Sequence, residues 1–335
     1  MKKYNIAVVG ATGMVGNKFL QVLSEKNLPV TDYYLFASQK SAGKVVNFLG
    51  KDLTVLELKR ENIVDKKIDI ALFSAGASVS REFAPIFVEI GATVIDNSSC
   101  FRMDEDVPLV VPEVNPEDIL WNKGIIANPN CSTIQAVVAL KPLHDKYGIK
   151  RIIYSTYQSV SGAGMGGYTD LVEGVKGKPP KKFPYPIFNN LIPQIDVFLE
   201  NGYTKEEEKM IKETRKILHE KALKVTATTV RVPVSYGHSE SINVEFYKPC
   251  TLDGIKDAIK NQEGAVLYDD ISKGIYPMPC VCEDKDEVFV GRIRLDDTVE
   301  SGCNIFVVAD NIRKGAATNA VQIAEYIVKN NISRG

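Results

Sequence analysis

Residues 4–16 read Y-N-I-A-V-V-G-A-T-G-M-V-G, and they set the architecture of the N-terminal part of the chain. The apolar run from Tyr4 to Val9 has the length of a short strand and stops at Gly10. Residues 13–26 then carry Val15, Phe19, Val22 and Leu23 on one helical face. A strand that passes through glycines directly into a helix is the first crossover of a parallel α/β sheet. Gly10, Gly13 and Gly16 have G-x-x-G-x-x-G spacing. Such glycines turn the chain tightly, let a pyrophosphate approach the backbone, and leave N–H groups free at a helix N-terminus. The same spacing also suits a tight turn that binds nothing.

The rhythm continues downstream. Strands are expected over Tyr33 to Ala37, Asp69 to Ser74 and Thr93 to Asp96, with a helix over 80–90. The short runs V-P-L-V-V (107–111) and G-I-I-A (124–127) are expected to extend the same sheet. After the second strand the sequence is L-F-A-S-Q-K-S-A-G-K. It lacks the carboxylate that commonly binds the adenosine ribose 2′-hydroxyl. Ser38, Lys40 and Ser41 instead offer hydroxyl donors and a positive charge, which suits a 2′-phosphate and hence NADP; a solvated loop is the alternative.

Beyond residue 130 the strands lengthen: Arg151 to Ser159, Lys224 to Val234, Ser241 to Lys248, Glu287 to Leu295 and Asn304 to Ala309. Several alternate apolar and polar residues, which predicts a mixed, largely antiparallel sheet with one wet face. Residues 204–219 read as a charged helix and 314–331 as an apolar-faced one. The segment G-V-K-G-K-P-P-K-K-F-P-Y-P-I-F-N-N (174–190) reads as an irregular excursion suited to a subunit contact.

Composition narrows the function classes. The chain has 335 residues, enough for two domains, with 44% hydrophobic and 25% charged residues. Lys+Arg number 41 against 42 Asp+Glu, so no basic field for nucleic acid exists. No apolar run has the length of a membrane span, and the apolar stretch after Lys2 and Lys3 breaks at Gly10, too soon for a signal peptide. The six cysteines (100, 131, 250, 280, 282 and 303) form no C-x-x-C pair. The lone C-x-C at Cys280 and Cys282 has no metal-ligand partners at suitable spacing and reads as two strand cysteines, so no metal is expected. Reduced thiols in the cytoplasm are the expectation.

The sharpest local signal is I-A-N-P-N-C-S-T-I-Q-A-V-V-A-L, which puts Cys131 at the start of a strong helix. A thiol there feels the positive end of the helix dipole, which favours the nucleophilic thiolate. A buried structural cysteine is the bland alternative. Gln158 ends a strand before S-V-S-G-A-G-M-G-G, whose glycines permit close backbone approach or serve as a hinge. Arg231 and His238 are seven apart, so a regular strand would turn them to opposite faces; a turn at Gly237 could bring them together. Glu206 and Lys209 share a helix face, and Arg102 follows S-S-C-F.

Together these segments resemble the aspartate-β-semialdehyde dehydrogenase family. The matching stretches are GATGMVG (10–16), NSSCFR (97–102), NPNCSTIQ (128–135), STYQSVSGAG (155–164), EEEKMIKETRKIL (206–218), RVPVSYGHSE (231–240) and NIRKGAATNAVQIAE (311–325), in the family's order over nearly the whole chain. The resemblance implies NADPH-dependent reductive dephosphorylation of L-aspartyl-4-phosphate to L-aspartate 4-semialdehyde, reversible with phosphate, on the route to lysine, threonine, methionine and diaminopimelate. It implies a Rossmann-like NADP-binding domain (1–130), a catalytic and dimerisation domain (131–312) and a C-terminal helix (313–335) returning to the first. Cys131 resembles the nucleophile, His238 the acid/base and Gln158 an orienting group. Arg231 resembles the clamp on the substrate α-carboxylate and Glu206 the partner of its ammonium, with Glu207 as the alternative. Arg102 and Lys209 resemble the phosphate-binding cations. The cofactor is expected at Gly10, Thr12, Gly13, Met14, Val15, Gly16, Ser38, Lys40, Ser41, Ala75, Gly76, Ser161, Gly162 and Asn311. A homodimer is implied, with a homotetramer as the alternative.

Three rivals are weaker. N-acetyl-γ-glutamyl-phosphate reductase takes an acylated substrate that needs no carboxylate like Glu206, and its cysteine sits nearer G-C-Y-P-T. The S-C-T-T-N segment of glyceraldehyde-3-phosphate dehydrogenase is absent. A non-catalytic NADP-binding paralogue would have no use for Cys131, Gln158, Arg231 and His238 together.

Overall fold

The computed structural model describes residues 2–332. Met1 and residues 333–335, the extremities of the first and last expected segments, lie outside the described residues. The chain forms two compact units. One runs up to Asn130 and resumes at Ala316; the other is Cys131–Gly315.

The first unit follows the strand–helix rhythm of its sequence. β1 (Tyr4–Val9), α1 (Met14–Glu25) and β2 (Val30–Ala37) make the first crossover. A small antiparallel pair, β3 (Val45–Phe48) and β4 (Lys51–Thr54), precedes β5 (Leu56–Glu57) and α2 (Arg60–Val64). Then come β6 (Ile70–Phe73), α3 (Ala77–Glu89), β7 (Thr93–Asp96) and β8 (Ile125–Ala127). The main sheet is six-stranded, in the order β5-β2-β1-β6-β7-β8, and its pairings are parallel.

Alternate residues of the central strands feed two apolar layers, as a sheet covered on both faces requires. Ile6, Val8 and Leu72 pack with Phe19 and Leu23 of α1. Ala7, Val9 and Phe73 pack with Phe87 of α3. The returning segment ends in α9 (Asn319–Lys329), whose Val321, Ala324 and Ile327 complete the layer on the α1 side.

Two details differ from the sequence reading. The V-P-L-V-V run contributes only an isolated bridge, Leu109 to Ala127, because its backbone is taken by side chains. Asn115 accepts the Val111 N–H, and Asn319 donates to the Val110 carbonyl. The apolar helix expected over 314–331 starts as a wide turn, Arg313–Thr318, before regular helix begins at Asn319. Asp310 accepts the N–H groups of Ile312 and Arg313, and Arg313 pairs with Asp286, so residues up to Gly315 stay with the second unit.

The second unit begins with α4 (Cys131–Tyr147) and β9 (Ile149–Gln158). It continues through α5 (Gly164–Gly174), α6 (Lys205–Ile217), β10 (Lys224–Arg231) and β11 (His238–Phe246). The remaining elements are α7 (Leu252–Lys260), β12 (Ala265–Leu267), α8 (Pro279–Cys282), β13 (Val288–Leu295) and β14 (Gly302–Ala309). The sheet order is β10-β9-β11-β14-β13-β12. β9–β11, β11–β14 and β13–β14 are antiparallel, whereas β10–β9 and β12–β13 are parallel. Cys280 and Cys282 sit in the one-turn α8, not in a strand, because Pro279 opens a helical turn there. The 174–190 excursion is organised by the Asp170 carboxylate, which accepts the N–H groups of Lys181, Lys182 and Phe183.

The glycines of the first crossover are not equivalent. A Cβ on Gly10, whose φ is +85°, would lie 2.4 Å from the Ser74 carbonyl oxygen, and one on Gly16 would lie 2.1 Å from that of Gly10. A Cβ on Gly13 would come no nearer than 3.3 Å to anything. Thermal unfolding should therefore show Gly10→Ala and Gly16→Ala losing about 2 kcal/mol or more, and Gly13→Ala staying within about 1 kcal/mol of the parent.

Candidate active site

One face of the second sheet is buried, and its character changes along the strands. On β9 it carries Ile152 and Tyr154, then Thr156 and Gln158; on β10 it carries Thr229 and Arg231. β11 runs the other way and places His238 and Glu240 beside that polar end, with Ile242 and Val244 beside the apolar end. Arg231 registers with Gln158, and Glu240 with Thr156. Period-two alternation thus gathers these polar side chains into one buried layer.

Cys131 is the first residue of α4 and is half-buried. Gly315 lies against it; a Cβ there would be 2.8 Å from the Cys131 Cβ. One turn further along α4, Gln135 donates to the backbone carbonyl of His238 (3.2 Å), so the start of the helix is tied to the start of β11.

Between Arg231 and His238 the chain leaves the sheet and reverses at Gly237, whose φ is +85°. The turn brings both side chains against Gly162, where a Cβ would lie 2.8 Å from Arg231 Nη1 and 3.2 Å from His238 Nε2. Gly162, in the glycine-rich loop after Gln158, therefore permits the close approach of both side chains.

The His238 ring is fully buried. Its Nδ1 lies 3.1 Å from the Ser159 N–H, which donates to it, and 3.0 Å from Ser159 Oγ. Nδ1 thus has a donor and an acceptor beside it, which serves either tautomer. Nε2 is buried and has no hydrogen-bond partner within the protein. Burial, helped by the Arg231 charge, holds the ring well below the ordinary histidine range, so it is neutral at pH 7.

Asn311 buttresses this arrangement. Its Oδ1 accepts from Ser159 Oγ (3.0 Å) and from the Gly237 N–H (3.0 Å), and its Nδ2 donates to Ser161 Oγ (3.1 Å).

A charged pair lies alongside. Arg231 is buried, donates to the Ser159 carbonyl (2.6 Å) and packs over the Phe183 ring. Burial lowers its pKa, opposed by the negative charge of Glu206 and of the Cys131 thiolate form. Glu206 Oε1 accepts from Gln158 Nε2 (3.2 Å), and Oε2 pairs with Lys209 (3.3 Å), which also holds Asp196. Glu207 is engaged elsewhere. It closes a capping box with Thr204, and its Oε1 accepts the Thr229 N–H (3.0 Å). Both oxygens of Glu207 thus serve the backbone, and Glu206 is the glutamate facing Arg231 and Gln158.

In the first unit, the features expected of a dinucleotide site are present. Gly13 occupies the N-cap of α1 without a side-chain cap, and the first turn holds no acidic residue. The helix start therefore offers N–H groups to a phosphate without a competing carboxylate. Gly76, at the N-cap of α3 with φ +92°, faces open space where a Cβ would be. Thr12 donates to Ser41 Oγ (3.2 Å), while Ser38 and Lys40 are exposed just past β2. Arg102 is buried in this unit and donates to the carbonyls of Asn128 (2.9 Å) and Asn97 (3.0 Å).

Sequence reasoning missed Ser159, Gln135, Gly315 and Glu240. Glu207's structural duty was readable, since T-x-x-E before a helix is a capping-box signature; the others depend on pairing between distant strands.

A dinucleotide-type crossover in one unit and, in the other, a buried polar layer with a histidine and a clustered Arg–Glu–Gln fit a dehydrogenase. Residues 5–121 match the family model for the semialdehyde dehydrogenase NAD binding domain, and residues 140–314 match that for the dimerisation domain. The aspartate-semialdehyde dehydrogenase of Aquifex aeolicus is 58% identical over 97% of this chain and 98% of its own; that of Campylobacter jejuni is 52% identical over 97% of each. The crystal structure of aspartate semialdehyde dehydrogenase II from Vibrio cholerae superposes with a TM-score of 0.94 at 48% identity, covering 98% of this chain and 99% of that one. A further structure of the Vibrio enzyme is complexed with ASA, and a Candida albicans relative, with a TM-score of 0.78 and 28% identity over 99% of this chain and 100% of that one, was solved with NADP. The chain belongs to the aspartate-semialdehyde dehydrogenase family, and it is an oxidoreductase with a nicotinamide-dinucleotide-binding fold.

Two outcomes follow from the close approaches and the neutral imidazole. Gly162→Ala should lower kcat/KM by about 100-fold through displacement of Arg231 and His238, with little change in melting temperature. Because His238 is depressed in the folded state, the unfolded chain takes up a proton below about pH 6.5 that the folded chain refuses, and stability falls as pH drops from there. His238→Asn should lose less melting temperature than the parent between pH 7 and pH 5.

Proposed function

We propose that the chain catalyses the reversible, NADPH-dependent reductive dephosphorylation of L-aspartyl-4-phosphate to L-aspartate 4-semialdehyde through a thioester on Cys131. The observation that carries this reading is the common setting of Cys131, Arg231, Glu206 and His238 in one unit: a nucleophile on a helix N-terminus, a cation and an anion for an amino acid's two charged groups, and a proton carrier. The Vibrio complex with ASA supports the substrate class.

In the biosynthetic direction Cys131 Sγ attacks the acyl carbon and inorganic phosphate leaves. The helix N-terminus stabilises the thiolate and offers N–H groups to the developing oxyanion. His238 Nε2 exchanges the proton with the substrate oxygen and the thiol, while Ser159 serves Nδ1 in either protonation state. Arg231 binds the α-carboxylate through its fork, and Glu206, oriented by Gln158, binds the α-ammonium. Lys209 and Arg102 are assigned to the phosphate. The dinucleotide supplies or takes up the hydride when bound. Gly10, Thr12, Gly13, Met14, Val15, Gly16, Ala75 and Gly76 would hold it on the first unit, and Ser161, Gly162 and Asn311 on the second.

Ser38, Lys40 and Ser41, with no acidic residue among them, favour the 2′-phosphate of NADP over NAD. The dimerisation-domain match supports a homodimer. The half-exposed outer face of the second sheet, with Tyr157 and Phe306, and the exposed Tyr185, Phe188 and Leu191 of the excursion suit such a contact. The six cysteines, none joined in a disulfide, suit a reducing cytoplasm. The product would feed lysine, threonine, methionine and diaminopimelate synthesis.

The test is phosphate-dependent reduction of NADP by aspartate 4-semialdehyde, followed at 340 nm. Turnover should fall at least about 1,000-fold in Cys131→Ala. Arg231→Lys should cost about 100-fold in kcat/KM, since an ammonium cannot reproduce the bidentate fork. Activity with N-acetylglutamate semialdehyde in place of aspartate semialdehyde would overturn the substrate assignment, and equal kcat/KM for NAD and NADP would overturn the cofactor assignment.

A further inference from the structure

The glycine-rich run after Gln158 receives two different neighbours. Gly162 lies against Arg231 and His238, whereas Gly166 and Gly167, in the first turn of α5, lie against the 174–190 excursion. A Cβ on Gly166 would meet the Lys182 side chain at 3.5 Å. One on Gly167 would lie 3.0 Å from Cζ of the Phe183 ring and 2.5 Å from the Val160 carbonyl oxygen, so only glycine leaves room for the ring there. Further along α5, the buried Asp170 carboxylate accepts the N–H groups of Lys181 (2.8 Å), Lys182 (2.7 Å) and Phe183 (2.9 Å). The backbone that carries Phe183 is thereby fixed from α5. Pro179, Pro180, Pro184 and Pro186 restrict it further on both sides. The half-buried ring packs against the apolar cluster of Val160, Leu171, Ile187 and Ile192, and the central carbon of the Arg231 guanidinium sits over it, 5.8 Å from the ring centroid. Ile192 holds the same arginine by its main chain: the two residues exchange both N–H···O bonds, at 2.8 and 3.1 Å.

We propose that Phe183 is a positioning residue for recognition of the substrate carboxylate: anchored by Asp170, its ring holds the Arg231 guanidinium where the carboxylate is received. This inference rests on the assignment of Arg231 to the α-carboxylate. An arginine side chain has many rotamers, and ordering it costs entropy. The Ser159 carbonyl holds Nη1 at 2.6 Å, but a single point of attachment does not fix a planar fork. A carboxylate partner could fix it, yet would occupy the N–H groups that a substrate carboxylate needs. An aromatic ring attracts the cation through its quadrupole and takes up no N–H donor. The attraction is strongest where water is excluded, and Arg231 is buried. The excursion therefore grips Arg231 twice, by its main chain at Ile192 and by its side chain at Phe183. Asp170, through the three N–H groups it accepts, sets where the second grip falls.

The experiment is steady-state kinetics of the full chain with aspartate semialdehyde, NADP and phosphate. It compares Phe183→Leu, Asp170→Asn, Arg231→Lys and the double variant of Phe183→Leu with Arg231→Lys. Leucine keeps an apolar side chain at 183 and removes the π face. Phe183→Leu should raise KM for aspartate semialdehyde about tenfold, with kcat within about threefold of the parent and the KM values of NADP and phosphate unmoved. Asparagine at 170 has one acceptor oxygen for three N–H groups, so Asp170→Asn should raise the same KM, and only that one, by about threefold or more. In the Arg231→Lys background, Phe183→Leu should add less than about twofold, because ring and guanidinium act as one unit. A Phe183→Leu enzyme with the parent KM, beside an Arg231→Lys enzyme whose KM is raised, would overturn the proposal and leave the Arg231 assignment standing. Equal rises in all three KM values would also overturn it, since a loosened fold gives that pattern, as would effects of the two substitutions that simply multiply. Arg231→Lys with an unchanged KM for aspartate semialdehyde would instead sink the carboxylate assignment, and the proposal with it. If Phe183→Leu fails to fold, Asp170→Asn decides the question, because it retains the ring and frees only the backbone that carries it.

Discussion

The ends of three strands are tied together by the side-chain amide of Asn311. It lies just past β14, accepts from Ser159 just past β9, and accepts the backbone N–H of Gly237 just before β11. None of these chain positions is close to another in sequence. Each hydrogen bond is modest by itself, but all are buried, so breaking one leaves an unsatisfied polar group. The Ser159 hydroxyl, held in this way, lies beside His238 Nδ1, and the ring is therefore oriented by a network rather than by packing alone. Arg231 joins the same network through the Ser159 carbonyl, and the Cys131 helix is tied to His238 through Gln135.

The second constraint is charge in a buried place. Arg231 and Glu206 are both buried, an arrangement that costs desolvation and is tolerated only with good partners. The partners are present: the Ser159 carbonyl and Phe183 ring for the arginine, Gln158 and Lys209 for the glutamate. Under the proposed function, a site preorganised in this way would give up stability for recognition, since an amino-acid substrate would find both its charges matched without rearrangement. Glu207, one residue away, performs a purely structural task with the same functional group. Adjacent helical residues point about 100° apart, so one glutamate can face the strand ends while the next closes the helix cap.

Much of this was legible in the sequence. The β1–Gly10–α1 crossover, the parallel rhythm and the mixed second sheet follow from local periodicity and glycine spacing, which act over a few residues. Cys131 was readable because a helix start is a local event. Arg231 and His238 were harder, since strand alternation alone turns them apart and only the Gly237 reversal brings them together. Glu240 and Gln135 were invisible to local reasoning: a glutamate in an alternating strand reads as solvent-facing, and a glutamine in a helix reads as neutral. Their meaning comes from the register of β11 against β9 and from α4 lying across both. The late start of α9 was misjudged for a similar reason, because the pairing of Arg313 with Asp286 is non-local.

The division of the chain also bears on how the molecule is made. Cys131–Gly315 is continuous, so everything needed for its sheet and helices has left the ribosome once Gly315 has emerged. The dinucleotide-type unit is interrupted, and Val321, Ala324 and Ile327 fill its apolar layer on the α1 side. During vectorial synthesis that layer stays open until the last segment arrives, although its first strand emerges earliest. The part of the enzyme that begins first is therefore completed last, and its unfilled face is the surface a chaperone would meet on the nascent chain.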